Sequence, residues 1–349
     1  MQNIKELELE AIEEFLQKNN EKKFRAKQIY QWLWQKNVSS FDQMSNIPAQ
    51  LRQKLAENFE LKNIKITYSQ KSQTDNSIKY AFATSDNLYI EGVLIPSSNN
   101  KRVTACISTQ VGCPLGCKFC ATGTMGLKRN LTSAEIYEQV FILNQEAIKN
   151  YDKKLSNIVV MGMGEPLLNY NNLMRALNFV TSEKAMAMSP SRITISTVGL
   201  VEKIRKLADD MPKFNLAISL HSAINSNRSE IMPVNKSNPL PKLIEALKYY
   251  NKKTGKRITF EYLLIDKITD TMEHAKALAE FCKNFPSKIN LIEFNPVSHI
   301  DYKCSKPQNI QKFFKYIESK NIVVTIRRSK GQDIDAACGQ LALKKKKLL

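Results

Sequence analysis

The sequence predicts the α/β class on three observations: helical periodicity up to about Phe59, β-rich alternation between about Ile64 and Pro96, and short apolar runs alternating with amphipathic stretches after Val103. From Ile4 to about Phe59, Ile4, Leu7, Ala11, Ile12 and Phe15 recur on one face, and Ala26, Ile29, Tyr30 and Leu33 repeat the pattern, which predicts a small helical domain over 1–62. Between 63 and 102, Ile78 to Thr84 and Leu88 to Ile95 alternate around the turn signal Ser85-Asp86-Asn87, so a short β-rich linker is expected. The catalytic domain is expected over 103–349. Its candidate strands are Val103 to Ser108, Asn157 to Met161, Ile193 to Ser196, Asn215 to Leu220, Ile258 to Leu264, Ile289 to Phe294 and Val323 to Ile326. Helices are predicted over Ser133 to Gln145, Leu240 to Asn251, Met272 to Phe285 and Ile310 to Ser319. Such alternation implies parallel strands with crossover helices, an α/β sheet or an open barrel, with chemistry at the carboxyl ends of the strands.

Lysine and arginine number 52 against 33 acidic residues, a net charge of +19 that points to a polyanionic partner, with a solvated basic surface as the alternative. The tail Lys344-Lys345-Lys346-Lys347 suits phosphate or plain solvation equally. No run approaches the roughly 18 apolar residues of a membrane span, and the start MQNIKELELEAIEEF is not signal-like, so a cytoplasmic chain without a membrane partner is expected. In that compartment seven cysteines argue for metal or catalytic use rather than a disulfide framework. Cys282 falls on an apolar helical stripe with Leu278 and Phe281 and reads as core; Cys304, in a polar loop, carries no signal.

Cys113-Pro-Leu-Gly-Cys117-Lys-Phe-Cys120 has the CxxxCxxC spacing, and Gly116 lets a short loop wrap an iron-sulfide cube. A closed zinc site asks for four ligands, commonly two CxxC pairs, and the chain has no second pair. Three thiolates on a [4Fe-4S] cluster leave one iron open to the amino and carboxylate groups of S-adenosylmethionine, which the protein must hold and shield. Gly162-Met163-Gly164-Glu165-Pro166 offers a close backbone approach and an acceptor for the methionine ammonium, although a glycine pair alone is as readily a turn. Ser196, Ser219 and Asn295 fall at or beyond strand ends and converge on the same place if the strands are parallel. His221 lines that pocket or serves as a structural hydrogen-bonder, while His274 and His299 suggest helix surface and loop.

Seven stretches, FRAKQIYQWLW, ACISTQVGCPLGCKFCATG, MGMGEPLLN, ITISTVGL, AISLHS, EFNPV and DIDAACGQL, resemble in order those of the dual-specificity adenine-C2 RNA methyltransferases. The resemblance implies an open (β/α)6 partial TIM-type radical S-adenosylmethionine barrel with an amino-terminal helical domain that assists RNA binding. It implies methylation of adenine C2 in the peptidyl-transferase centre of 23S rRNA and just 3′ of the anticodon in tRNA, with two S-adenosylmethionine molecules per turnover and a reductant of the flavodoxin type. Carried over by position, the cluster ligands are Cys113, Cys117 and Cys120, and the S-adenosylmethionine contacts are Gly164, Glu165, Ser196, Ser219, Leu220, His221 and Asn295. Cys338 carries the methyl group, Cys106 resolves it through a transient disulfide, and Glu91 is the proton acceptor, across a link to Cys106 about two residues longer than the family's. Two further cysteines suit the chemistry the resemblance implies: C2 of adenine is electron-poor, so a radical on the Cys338 methyl group adds where an electrophilic methyl cannot be attacked.

Lys22, Lys23, Arg25 and Lys27 beside Trp32 and Trp34 combine phosphate contacts with stacking planes, or else are a solvated rim on core tryptophans. Arg327, Arg328 and Lys330 suggest a phosphate clamp near Cys338. Two rival functions stay open at this point: a C8-methylating relative, and a basic RNA-binding protein whose cluster is structural or redox-sensing.

Overall fold

A computed structural model describes residues 1–99, 101–210, 213–297 and 300–342. One sheet of ten strands organises it, in the spatial order 323–327, 287–293, 258–264, 215–219, 193–197, 157–160, 103–106, 89–96, 78–83 and 65–71. From Val103–Cys106 to Val323–Arg327 neighbouring strands are parallel. Each strand before the last is followed by crossover helix, namely Ser133–Tyr151, Tyr170–Thr181, Val201–Asp209, the pair Asn225–Ile231 and Leu240–Thr254, Met272–Cys282 and Pro307–Glu318. Six β/α units thus end on a final strand, and the edges Val323–Arg327 and Lys65–Lys71 do not pair with each other, so the hydrogen bonding leaves the sheet open.

Sequence explains the parallel core locally. Ile258–Leu264 is buried along its whole length, as a strand covered on both faces must be. Helix Ser133–Tyr151 starts at a capping box in which the Thr132 hydroxyl accepts from the Glu135 N–H and the Glu135 carboxylate from the Thr132 N–H. It runs beyond the predicted Gln145 because Ala147 is still buried. The segment expected as a linker contributes three antiparallel strands to the main sheet, Tyr89–Pro96 pairing directly with Val103–Cys106.

Of the amino-terminal helices Leu9–Lys18, Phe24–Trp34 and Ala49–Asn58, the second packs on the first two crossover helices through Tyr30 and Trp34. Trp34 stacks on Phe179 with ring centroids 3.7 Å apart, and its backbone carbonyl accepts from the Tyr137 hydroxyl. Below it the Lys5 ammonium, fully buried, meets the buried Glu138 carboxylate at 2.5 Å and donates also to Asn37 Oδ1 and Asn63 Oδ1. Removing one partner of such a pair strands the other charge in the core. Glu138→Ala is therefore expected to cost about 3–5 kcal/mol of unfolding free energy, read by chemical denaturation; a loss within the range of surface substitutions contradicts this.

Candidate functional site

The cysteine loop begins where Gln110–Cys113 ends and returns through a short helix, Ala121–Thr124, to the antiparallel partner strand Gly126–Asn130. Gly116 turns the loop with φ +61° and open space beside it. Burial pushes the thiols of Cys113 (to about 11), Cys117 and Cys120 up, so they are neutral without metal, and iron binding takes the place of those protons. Among the described residues no three His, Cys, Asp or Glu side chains converge on a single metal ion. A cubane asks for a different arrangement, one thiolate on each of three irons.

Between this loop and the carboxyl ends of the parallel strands lies one cavity, lined by Cys113, Cys117 and Cys120 together with Gly164, Glu165, Ser196, Ser219, His221, Asn295 and Cys338. The two serines reach it by strand register. Ser196 and Ser219 end adjacent strands with their hydroxyls 3.4 Å apart. Glu165 is buried; its Oε1 accepts from the Leu167 N–H at 3.0 Å and its Oε2 from the Val198 N–H at 2.9 Å. Burial raises its carboxyl to about 7, and an ammonium placed against it would favour the carboxylate. His221 accepts from the Leu263 N–H through Nδ1 at 3.1 Å, packs edge-on against Phe119, and is held neutral, near 3, by burial. With Nδ1 accepting, its proton sits on Nε2.

The remaining expected contacts are Gly164 and Asn295, which line the cavity, and Leu220, which does not. The Leu220 side chain is in the core, its N–H donates to the Glu261 carbonyl, and its own carbonyl accepts from Arg228. The close approach at Gly164 is made by protein, since a Cβ there, at φ +98°, would lie 2.5 Å from the Gln110 side chain. Asn295 clamps the Cys338 loop, donating to the Cys338 carbonyl at 3.1 Å and accepting from Gln332 at 2.8 Å.

That loop is held on two sides. Ala121 N–H donates to the Gly339 carbonyl and Thr122 Oγ1 to the Leu341 carbonyl, tying it to the cysteine loop. Asp333 accepts from the Gln73 N–H, and Lys79 Nζ donates to the Asp335 carbonyl, tying it to the antiparallel strands. Cys338 is exposed and lines the first cavity and also a second, which contains buried Cys106 with Arg102, Arg327, Arg328 and Lys330. Burial foremost, then the neighbouring Cys338, pushes the Cys106 thiol up to about 12. Glu91 lines neither cavity; its buried carboxylate faces Lys79 at 3.5 Å.

Trp34, read as a possible stacking plane, is buried against Phe179 and unavailable to a base; Trp32 is half-buried with Lys36 Nζ 3.7 Å above its ring. His274 is buried at a helix start beside Thr271, not on the helix surface. Cys282 is core and Cys304 is exposed. His299 and Lys344 to Lys347 lie outside the described residues. Glu261 and Arg327, 3.7 Å apart, also line the cavity, and the wholly buried Arg228 lies behind it; isolated charges in a strand or a polar stretch carry no spacing signal for such a place.

Residues 2–61 match the family described as ribosomal RNA large subunit methyltransferase N-terminal domain, and residues 107–282 match the radical SAM superfamily. A probable dual-specificity RNA methyltransferase RlmN of Cytophaga hutchinsonii is 47% identical over 99% of this chain and 93% of its own, and that of Bacillus velezensis 44% over 99% and 94%. The chain belongs to the RlmN family of radical SAM RNA methyltransferases. A crystal structure of a radical SAM methyltransferase from Sphaerobacter thermophilus, 38% identical, superposes with a TM-score of 0.90 over 98% of this chain and 99% of that one. The superfamily's cofactors are a [4Fe-4S] cluster and S-adenosylmethionine, and the RlmN-type cavity fits both: three thiols on one loop face a buried carboxyl and two strand-end hydroxyls.

Proposed function

We propose that this RlmN-type enzyme methylates C2 of adenine in 23S rRNA and in tRNA through a methyl group carried on Cys338, with Cys113, Cys117 and Cys120 holding the cluster. The observation that carries the reading is the position of Cys338 at the junction of two cavities, one with the cluster thiols and the other with Cys106. When bound, the cluster and S-adenosylmethionine supply a transferable methyl group and, after one-electron reduction, a hydrogen-abstracting radical. Cys338, on a loop tied down at both flanks, presents its sulfur to either cavity. Glu165, Ser196, Ser219 and the Nε2–H of His221 orient the cofactor's polar groups. The joined base loses its C2 hydrogen as a proton, and its odd electron would return to the cluster. Cys106 then gives up its thiol proton and attacks the Cys338 sulfur: an S–S bond forms, the bond from that sulfur to the base-bound carbon breaks with its electron pair on carbon, and the carbon takes up a proton. Two electrons from a flavodoxin-type reductant restore the thiols, which are free in this structure. Glu91 supports this indirectly, holding the Lys79 ammonium that binds the Asp335 carbonyl of the Cys338 loop.

Residues 1–62 assist RNA binding in this reading, 63–102 brace the Cys338 loop, and 103–349 carry the chemistry. Among the described residues no helix is long and apolar enough to cross a membrane; the proposal takes the cytoplasm as the site of action. The test is mass spectrometry of nucleosides from rRNA and tRNA incubated with reconstituted enzyme, S-adenosylmethionine and reductant. 2-Methyladenosine is expected; 8-methyladenosine alone, or no methylated base, overturns the proposal. RNA affinity is expected to fall steeply with salt, with a slope of about 0.7–0.9 in log affinity against log salt for each phosphate neutralised. Salt-independent binding in a filter or anisotropy assay would remove the phosphate role from Arg327, Arg328 and Lys330.

A further inference from the structure

Three lysine or arginine side chains are buried among the described residues: Lys5 faces Glu138, Lys79 faces Glu91, and Arg228 has no carboxylate oxygen within ion-pair distance. The Arg228 guanidinium is 0% exposed and spends its fork on neutral acceptors. Nε donates to the Leu220 carbonyl at 3.0 Å, Nη1 to Asn235 Oδ1 at 2.7 Å, and Nη2 to the carbonyls of Val198 at 2.6 Å and Ser219 at 3.3 Å. Glu165 is joined to it through Val198, whose N–H donates to that carboxylate. A buried, unpaired cation is costly, and a neutral side chain would fill the same space without that cost.

Its place indicates what offsets the cost. Helix Asn225–Ile231 backs the cysteine loop: the Ile231 carbonyl accepts from the Lys118 N–H at 2.9 Å, and Ile231 and Met232 pack with Cys117. Val198, whose carbonyl accepts from Arg228 Nη2, packs in the same apolar cluster as Cys117, so the guanidinium lies directly behind the cysteine loop. We infer that Arg228 is a built-in countercharge for the cluster, a positioning residue that stabilises its reduced form while its fork fixes the Val198, Ser219 and Leu220 carbonyls behind the cofactor pocket. This rests on the cluster reading above. One electron passes from the reductant to the cluster without making or breaking a bond, and it adds negative charge to a group already held by three thiolates. In a low-dielectric interior a nearby fixed cation favours that gain, and it does so without moving.

The test is an EPR-monitored potential titration of the anaerobically reconstituted full-length enzyme, wild type against Arg228→Gln, Arg228→Lys and Asn235→Asp. Arg228→Gln removes the charge, and at a fixed solution potential its reduced-to-oxidised cluster ratio is expected to drop at least tenfold, a downward shift of about 59 mV for one electron. Arg228→Lys keeps the charge and loses the fork, and is expected to hold the wild-type potential. Asn235→Asp places a carboxylate where Nη1 already donates, at the expense of donors to Asn225 and Ser229, and is expected to shift the potential downward as well. It decides the matter if Arg228→Gln fails to fold. An unmoved potential in a cluster-loaded charge variant overturns the countercharge, and so does a shift in Arg228→Lys as large as that in Arg228→Gln, which would assign the effect to the fork. Wild-type protein that takes up no iron is a separate failure, seen in the iron content before any titration, and it overturns the cluster reading itself.

Discussion

Alanine at Cys113, Cys117 or Cys120 is expected to reduce deoxyadenosine release to background and to remove most of the bound iron. Each thiolate serves a different corner of one cluster, so losing one leaves an iron without a ligand rather than a weaker version of the same site. The fold should survive the change. A buried cysteine behaves as a small apolar residue, and the loop is also held by the Gln110–Cys113 and Gly126–Asn130 pairing, the Ile231 carbonyl and the Cys338 segment. Far-UV circular dichroism and RNA binding are therefore expected to match the wild type while iron and cofactor cleavage disappear together. Cys282→Ala is the control: it alters a buried thiol on helix Met272–Cys282, which lines neither cavity, and should leave the iron content unchanged. A reconstituted Cys117→Ala protein with full iron and normal cleavage would refute the ligand assignment.

How far the site was legible depends on the range of the interaction that places each residue. Cys113, Cys117 and Cys120 lie on one loop, so local spacing was sufficient to bring them together. Parallel alternation then placed Ser196, Ser219 and Asn295 at one end of the sheet, and all three line the same cavity. Leu220 follows Ser219 and faces the opposite way, so its side chain enters the core while its backbone stays at the strand end. Gly164 lines the cavity, and a Cβ there would strike Gln110 on the Gln110–Cys113 strand, a contact that local spacing does not show. Trp34 and the basic residues around it read alike as RNA stacker or core, and the decision came from Phe179, far along the chain. The hairpin of Gln110–Cys113 with Gly126–Asn130 gave no alternating pattern, and its register is set across the cysteine loop. Arg228 shows the same limit: in Asn-Ser-Asn-Arg-Ser-Glu it reads as a solvated charge, and its burial follows from carbonyls on two distant strand ends.

Cys338→Ala and Cys106→Ala are expected to fail in different ways, because the proposed roles are sequential. Without the Cys338 thiol there is no methyl carrier, so that variant should bind iron and yield neither methylated protein nor methylated RNA. Its exposed side chain makes few contacts of its own, and the loop is held through backbone groups of Asp335, Gly339 and Leu341, so the local structure should persist. Cys106 sits at the other side of the junction, buried on the Val103–Cys106 strand, with its thiol pushed up to about 12 by burial and by Cys338. A thiol so reluctant to ionise is a poor nucleophile at rest, and Arg327, which lines both cavities, is the cation near enough to favour its thiolate when the attack is required. In Cys106→Ala every step before that attack is intact: Cys338 is charged, the base is joined to it, and release stops. An RNase-sensitive protein-RNA species should accumulate to about one per chain, with tandem mass spectrometry placing the adduct on the peptide that contains Cys338. Normal turnover by Cys106→Ala, or a crosslink on a different cysteine, would exclude the two-cysteine route while leaving the three cluster thiols where they are.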